Sequence, residues 1–233
     1  MKIGYTTMNT PADIAPRVLG PMLEDAGFDS IWIGEHSHIP VSRATPYPTG
    51  GDMPWQYTTM MDPFISLTQI GEHTTNLLLG LGVALPLEHD VLALAKTAAT
   101  LDVLSNGRLQ FGVGVGWNEI EFQGLGEDFK TRGKRSEEQV RFMQALWKEP
   151  HVTFKGEFHQ LDDGGINPRP KSGRVPIWFG GHAEATFRRT AQYGDGFMPL
   201  AWPAGDKALS AFDKLRTMIK AAGRDPKSVG LDV

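Results

Sequence analysis

With 233 residues the chain is long enough for one domain with a full core and reaches the lower end of the size range of an α/β barrel. Its 23 lysines and arginines against 27 aspartates and glutamates, with no long basic run, exclude the electrostatic footprint of a nucleic-acid or membrane-surface binder. There is no cysteine, hence no disulfide framework and no thiolate chemistry, and neither a signal-peptide core nor an apolar stretch of membrane-spanning length is found. These features predict a cytoplasmic protein with one domain, residues 1–233, and a small molecule as its partner.

Residues 2–6 read as a first strand, and Thr10-Pro11 opens a helix that ends at Ala26-Gly27. Residues 29–34 form an apolar run too short for a helix, which predicts a strand covered on both faces. Its C-terminal end delivers Glu35-His36-Ser37-His38. Residues 39–61 carry Pro40, Pro46, Pro48, Pro54 and Gly50-Gly51 and predict a long loop, a lid or a binding loop. Asp62-Pro63 reads as a helix cap followed by proline at the first helical position. Residues 77–85 are the third strand, closed by Pro86, and a third helix runs from Val91 to a stop at Ser105-Asn106-Gly107.

Residues 108–115 are the fourth strand, followed by a helix over 135–148 and a hairpin over 152–161 that stands outside the repeating unit. A fifth strand over 175–179 leads through Gly180-Gly181 into a helix over 183–193. The sixth strand is placed at 196–200, a further helix at 209–222 and the start of a seventh strand at 229–233. Regular alternation of strand and helix predicts a parallel sheet, doubly wound or closed into a barrel, with chemistry at the strand C-termini.

In the fourth strand Gly112, Gly114 and Gly116 strip one face of side chains. Such a face accepts either a flat ligand or a tightly packed neighbour, and the ligand is the expectation here. Trp117 stands where the third glycine of a Rossmann fingerprint would be, so that fingerprint fails. Gly180-Gly181 ahead of a helix can present N–H groups to an anion.

The run Leu101-Asp102-Val103-Leu104-Ser105-Asn106-Gly107-Arg108, followed by Gly112-Val113-Gly114-Val115-Gly116-Trp117-Asn118 and Glu121-Phe122, resembles the bacterial luciferase-like superfamily, and more narrowly its branch that uses the deazaflavin coenzyme F420. Supporting matches are Glu35-His36, Asp62-Pro63, Leu79-Gly80, Arg169-Pro170, residues 177–181 and residues 194–197, so the resemblance spans residue 2 to about residue 202. It implies a TIM (β/α)8-type barrel, here with a hairpin insertion, assembled as a homodimer and holding the cofactor ring at the C-terminal mouth. The activity implied is hydride transfer between F420 and a small organic substrate. The alternatives are an FMN-dependent monooxygenase and a non-catalytic flavin-binding protein.

His36 is the expected catalytic residue, because a histidine at a strand C-terminus can donate or accept a proton near neutral pH. The resemblance implies cofactor contacts at Glu35, Gly82, Val83, Val115, Gly116, Asn118, Gly180, Gly181 and His182, with a non-proline cis peptide at Gly82-Val83. Glu119 and Glu121 are candidate proton donors but are read first as favourable charges in a first helical turn. His38, His89 and His159 are read as ordinary loop histidines. His36 and His38 are expected to point to opposite sides, and no metal is expected. The strand count of seven, against eight in a closed barrel, predicts a sheet open beside the first strand and a form truncated before the eighth. Unpaired strand edges of this kind are expected to lower stability or to promote association.

Overall fold

A computed structural model describes residues 2–199 and 205–232; residues 200 and 233, the expected ends of the sixth and seventh strands, lie outside the described residues. Local polar chemistry sets the helix starts. Asp62 caps α2 (Pro63–Glu72) by accepting the Ile65 N–H at 2.9 Å, and Asp90 caps α3 (Val91–Leu104) by accepting that of Ala93 at 2.9 Å. Helix α1 (Pro16–Asp25) begins later than Thr10-Pro11. The Asp13 carboxylate turns back to accept the Thr10 N–H and hydroxyl at 2.7 and 3.0 Å, which closes a separate turn and leaves Pro16 to open the helix.

Among the described residues seven strands form one parallel sheet in the order β1 (Gly4–Thr7), β2 (Ser30–Ile33), β3 (Leu78–Ala84), β4 (Leu109–Val113), β7 (Ile177–Gly180), β8 (Gly196–Met198) and β9 (Gly230–Leu231). Strands β5 (Val152–Lys155) and β6 (Gln160–Gly164) pair antiparallel outside it, as the hairpin insertion predicts. The remaining helices are α4 (Glu119–Gly124), α5 (Arg132–Lys148), α6 (Glu184–Tyr193) and α7 (Asp206–Ala221). The sheet is curled like part of a barrel, and among the described residues no ladder joins β9 to β1, so the expected opening lies beside β1.

Alternation along the strands separates two packed faces. Ile31, Ile33, Leu79, Leu81, Leu109, Phe111, Val113, Ile177 and Phe179 are buried with side chains of α2, α3 and α5, each contributing about 1.5–3 kcal/mol. The inner face is filled by Trp32 and Trp178, whose rings meet edge to face at 5.4 Å and donate their N–H groups to Ser30 and Gln110. Glycines make room for them: a Cβ on Gly80 would lie 2.2 Å from Trp32, and one on Gly196 would lie 2.2 Å from Trp178.

The same logic corrects the expectation for the glycine-rich strand. A Cβ on Gly112 would meet the Leu81 carbonyl oxygen at 2.0 Å, and one on Gly114 would meet Val83 at 2.6 Å. Protein already fills that face at both positions, so close strand packing, not a ligand bed, explains these two glycines. The strand also ends at Val113, which leaves Val115 and Gly116 in the following loop.

Candidate active site

The chemistry gathers where β2, β3 and β4 end. After β2, the buried Glu35 carboxylate accepts the Leu85 N–H at 2.7 Å and binds His89 Nε2 at 2.7 Å, which ties this segment to the chain leaving β3. The hydrogen bond to Glu35 pushes the His89 imidazole up from its ordinary value, against the opposing effect of burial. Beside it, His36 Nδ1 meets Glu121 Oε1 at 2.7 Å, with the two side chains 7% and 1% exposed.

Glu121 comes from the short helix α4, which the sequence signals only as acidic residues in a first turn. Glu88, from a single 3-10 turn after β3, accepts the Ser37 N–H at 2.9 Å through Oε2, while its Oε1 is buried without a partner. Burial, joined by the charge of Glu121, pushes the Glu88 carboxyl up, although bonds from Ser37 and the attraction of His36 act the other way. His36, Glu88 and Glu121 each place a ligand-capable atom within 4.8 Å of the others, a grouping with the chemistry and spacing to hold a cation.

The long loop folds over this cluster. Tyr57 and Trp117 lie edge-on to His36 at 5.2 and 6.0 Å, and Tyr47 reaches Trp117 at 5.8 Å and shares a 3.2 Å hydroxyl contact with Tyr57. Burial, then the bond to Tyr47, pushes the Tyr57 phenol up. A cleft of about 420 Å³ opens between loop residues Arg43, Tyr47 and Asp52 and the pair Trp117 and Asn118, a size suited to a small-molecule site. Asn118 precedes α4 but makes no capping bond; it is 3% exposed and its Oδ1 has no partner.

The other expected positions divide. Gly116 adopts φ +73° with the Phe122 ring beneath it, 2.8 Å from where a Cβ would be. The Gly82–Val83 peptide is cis, as the resemblance implies, and the Val83 side chain occupies the space that Cβ atoms on Gly114 and Gly180 would need. Gly180 ends β7, Gly181 donates its N–H to the Met198 carbonyl at 3.2 Å, and His182 is exposed ahead of α6. The first turn of α6 carries Glu184, paired with Lys214 at 2.8 Å, and an acidic side chain there competes with a phosphate for the helix terminus.

The expected divergence of His36 and His38 fails. Residues two apart on an extended segment share a side. Accordingly His38 packs on Gly124, one turn along α4 from the partner of His36.

Against known proteins, residues 17–232 match the model of the luciferase-like monooxygenase family. The chain belongs to that family. It is 34% identical over 239 residues to an uncharacterised protein of Mycobacterium tuberculosis, covering all of this chain and 84% of that one. It is 30% identical over 205 residues to the F420-dependent glucose-6-phosphate dehydrogenase of Amycolatopsis mediterranei, covering 85% of this chain and 57% of the dehydrogenase.

Among solved structures the fold is shared with the monooxygenase RslO1 of Streptomyces bottropensis (TM-score 0.81, 23% identity, 99% of this chain and 70% of that one). It is also shared with an F420-dependent secondary alcohol dehydrogenase in complex with an F420-acetone adduct (TM-score 0.78, 24% identity, 99% and 67%). The family, with its dehydrogenase and monooxygenase members, makes this luciferase-like protein an oxidoreductase.

Proposed function

We propose that this chain is an F420-dependent oxidoreductase that moves a hydride between the deazaflavin and a small organic substrate, with His36 as its acid/base residue. The observation that carries the proposal is the buried His36–Glu121 pair at 2.7 Å beside an aromatic-walled cleft. Glu121 orients the imidazole through Nδ1, which leaves Nε2 to hold or release a proton at a substrate oxygen. Burial by Tyr57 and Trp117 keeps bulk water from that proton.

The residues fit the ring end of such a cofactor. The unpartnered Asn118 Oδ1 is a ready acceptor for a ring N–H. Bound F420 would supply the two-electron hydride chemistry. Glu35 acts here through position, since both carboxylate oxygens already bind Leu85 and His89. Val115 and Gly116 carry the chain from β4 to Trp117 and Asn118, which line the cleft, and a phosphate near Gly180, Gly181 and His182 would have to compete with Glu184.

The reading includes one domain over residues 1–233, a cytoplasmic setting and a homodimer. The apolar groove between α2 and α3, where Ile65 and Leu104 are exposed, supports the second copy, and sedimentation at twice the chain mass checks it.

Titration of the purified protein with F420 and with FMN tests the cofactor, with tighter binding of F420 expected. Binding of FMN alone, followed by oxygen-dependent turnover, would replace the proposal with a monooxygenase. Cofactor binding without substrate-dependent reoxidation would make it a storage protein.

A further inference from the structure

Four aromatic rings close a circuit at the mouth of the sheet. His36 meets Tyr57 at 5.2 Å, Tyr57 meets Tyr47 at 5.5 Å, Tyr47 meets Trp117 at 5.8 Å and Trp117 returns to His36 at 6.0 Å, each pair edge to face. All four spacings lie in the range where aromatic pairs attract beyond the area they bury. The 3.2 Å hydroxyl contact between Tyr47 and Tyr57 adds a further tie. Tyr47 comes from the long loop and Trp117 from the chain beyond β4, so the circuit clamps the loop to the sheet before any ligand arrives. A wall already held in place costs a ligand little ordering.

Tyr47 and Trp117 are the rings of the circuit that also line the 420 Å³ cleft, with Pro46 and Met53 beside them. The Met53 thioether is of a kind that adapts to an aromatic edge. Charge in this lining is sparse and balanced. Among the described residues it consists of Arg43 and Asp52, both exposed. Arg43 Nη1 already donates to the carbonyls of Pro40 and Ser42. A phosphate or carboxylate is held best by a free guanidinium fork or by several cations together, and Asp52 repels it. The remaining polar groups on the loop side, the hydroxyls of Ser42 and Thr45, are neutral.

We propose that the cleft selects an uncharged substrate with a planar conjugated ring, packed against Trp117 and Tyr47, a selection that rests on the oxidoreductase reading for the reaction that follows. Trp117 and Tyr47 are then specificity-determining residues. A saturated ligand of the same size buries similar apolar area but makes no use of the ring quadrupoles. The aromatic member of such a pair should bind about 2- to 10-fold more tightly, the scale of one aromatic pair.

The test is ¹⁹F NMR of the full chain labelled with 5-fluorotryptophan, without cofactor and then with F420 or FMN added. Trp117 is one of six tryptophans, and its resonance is the one missing in Trp117→Phe. Benzyl alcohol should move that resonance saturably, with an affinity about 2- to 10-fold above that of cyclohexylmethanol. Tyr47→Leu should remove most of this difference and Tyr47→Phe should keep it; if Tyr47→Leu does not fold, the preference of the wild type carries the test. Equal affinities for the two alcohols overturn the proposal, as does the absence of any saturable shift. Glycerol 3-phosphate binding as tightly as benzyl alcohol, with the binding lost in Arg43→Gln, also overturns it. So does displacement of benzyl alcohol by F420 or FMN, because the cleft would then hold the cofactor itself. A ring preference in a chain that binds neither cofactor sinks the redox reading and leaves the aromatic selection standing.

Discussion

The hairpin and the mouth of the sheet each hold a histidine–glutamate pair, at 2.9 and 2.7 Å, yet the pairs differ in everything around them. At the hairpin, Glu138 of α5 binds His159 and also accepts the N–H groups of Glu157, Phe158 and His159 at 2.7, 2.9 and 2.7 Å. At the mouth, His36–Glu121 lies near Glu88 Oε1 and Asn118 Oδ1, two buried acceptors without partners. A buried polar group left unsatisfied costs about 1–3 kcal/mol, so such groups are rare where a protein only needs to be stable. The histidine–glutamate contact alone does not separate structure from chemistry; the three backbone donors that Glu138 satisfies, and that Glu121 lacks, do.

The largest effect should come from the mouth. His36→Gln keeps an N–H donor for Glu121 but cannot exchange a proton, and loss of one acid/base group lowers rates by about 10²–10⁴. Single-turnover hydride transfer to bound F420 should fall by that range while cofactor affinity and thermal unfolding stay close to wild type. Unchanged transfer would remove His36 from the chemistry, and a large loss of stability would make the mouth pair structural like its hairpin counterpart.

Glu138→Ala should behave in the opposite way. It strands three backbone donors and a histidine together, and a loss of about 3 kcal/mol in urea unfolding is expected from the size of charge-assisted bonds. Burial pushes the Glu138 carboxyl up, but the bonds from His159 and from the three N–H groups outweigh it and hold the group below its ordinary value. A lowered carboxylate contributes stability above the ordinary carboxylate range and loses it as pH falls through the lowered value. The stability of wild type should therefore fall as pH drops through that lowered value, and Glu138→Gln should flatten that pH dependence. A flat profile in wild type would break the contrast.

Most of the scaffold is legible in the sequence because its signals are local. Asp62-Pro63, the apolar run before Glu35 and the stop at Ser105-Asn106-Gly107 each place an element to within a few residues of where it is found. His36 is legible too, from its place at a strand end. Its partners are not. Glu121 lies 85 residues away on a six-residue helix whose acidic residues look like ordinary first-turn charges, and Glu88 is a single carboxylate in a turn. Meetings of this kind depend on curvature of the sheet, which no short stretch encodes. The glycine strand misled for a related reason: a bare face is visible in sequence, but whether Val83 or a ligand fills it depends on the neighbouring strand.

The smallest effect concerns the third pair, His89–Glu35, which combines both situations. It sits at the mouth, but Glu35 also accepts the Leu85 N–H, as Glu138 accepts backbone donors in the hairpin. By the rule drawn from the other two pairs it is structural. The Glu35 hydrogen bond raises the His89 imidazole above its ordinary value of 6.5 despite burial, and the charges of Glu35, Glu88 and Asp62 add to that. A group raised in the folded state contributes its full stability below its unfolded value and loses it as pH rises through the folded one. The difference in unfolding free energy between wild type and His89→Gln should thus be about 1 kcal/mol on the acid side, the scale of one hydrogen bond, and shrink as pH climbs past the raised value. Hydride transfer should change little across the same series. A His89→Gln protein with unaltered stability at every pH but strongly reduced transfer would place this pair with His36–Glu121, and satisfied backbone donors would no longer tell a structural pair from a chemical one.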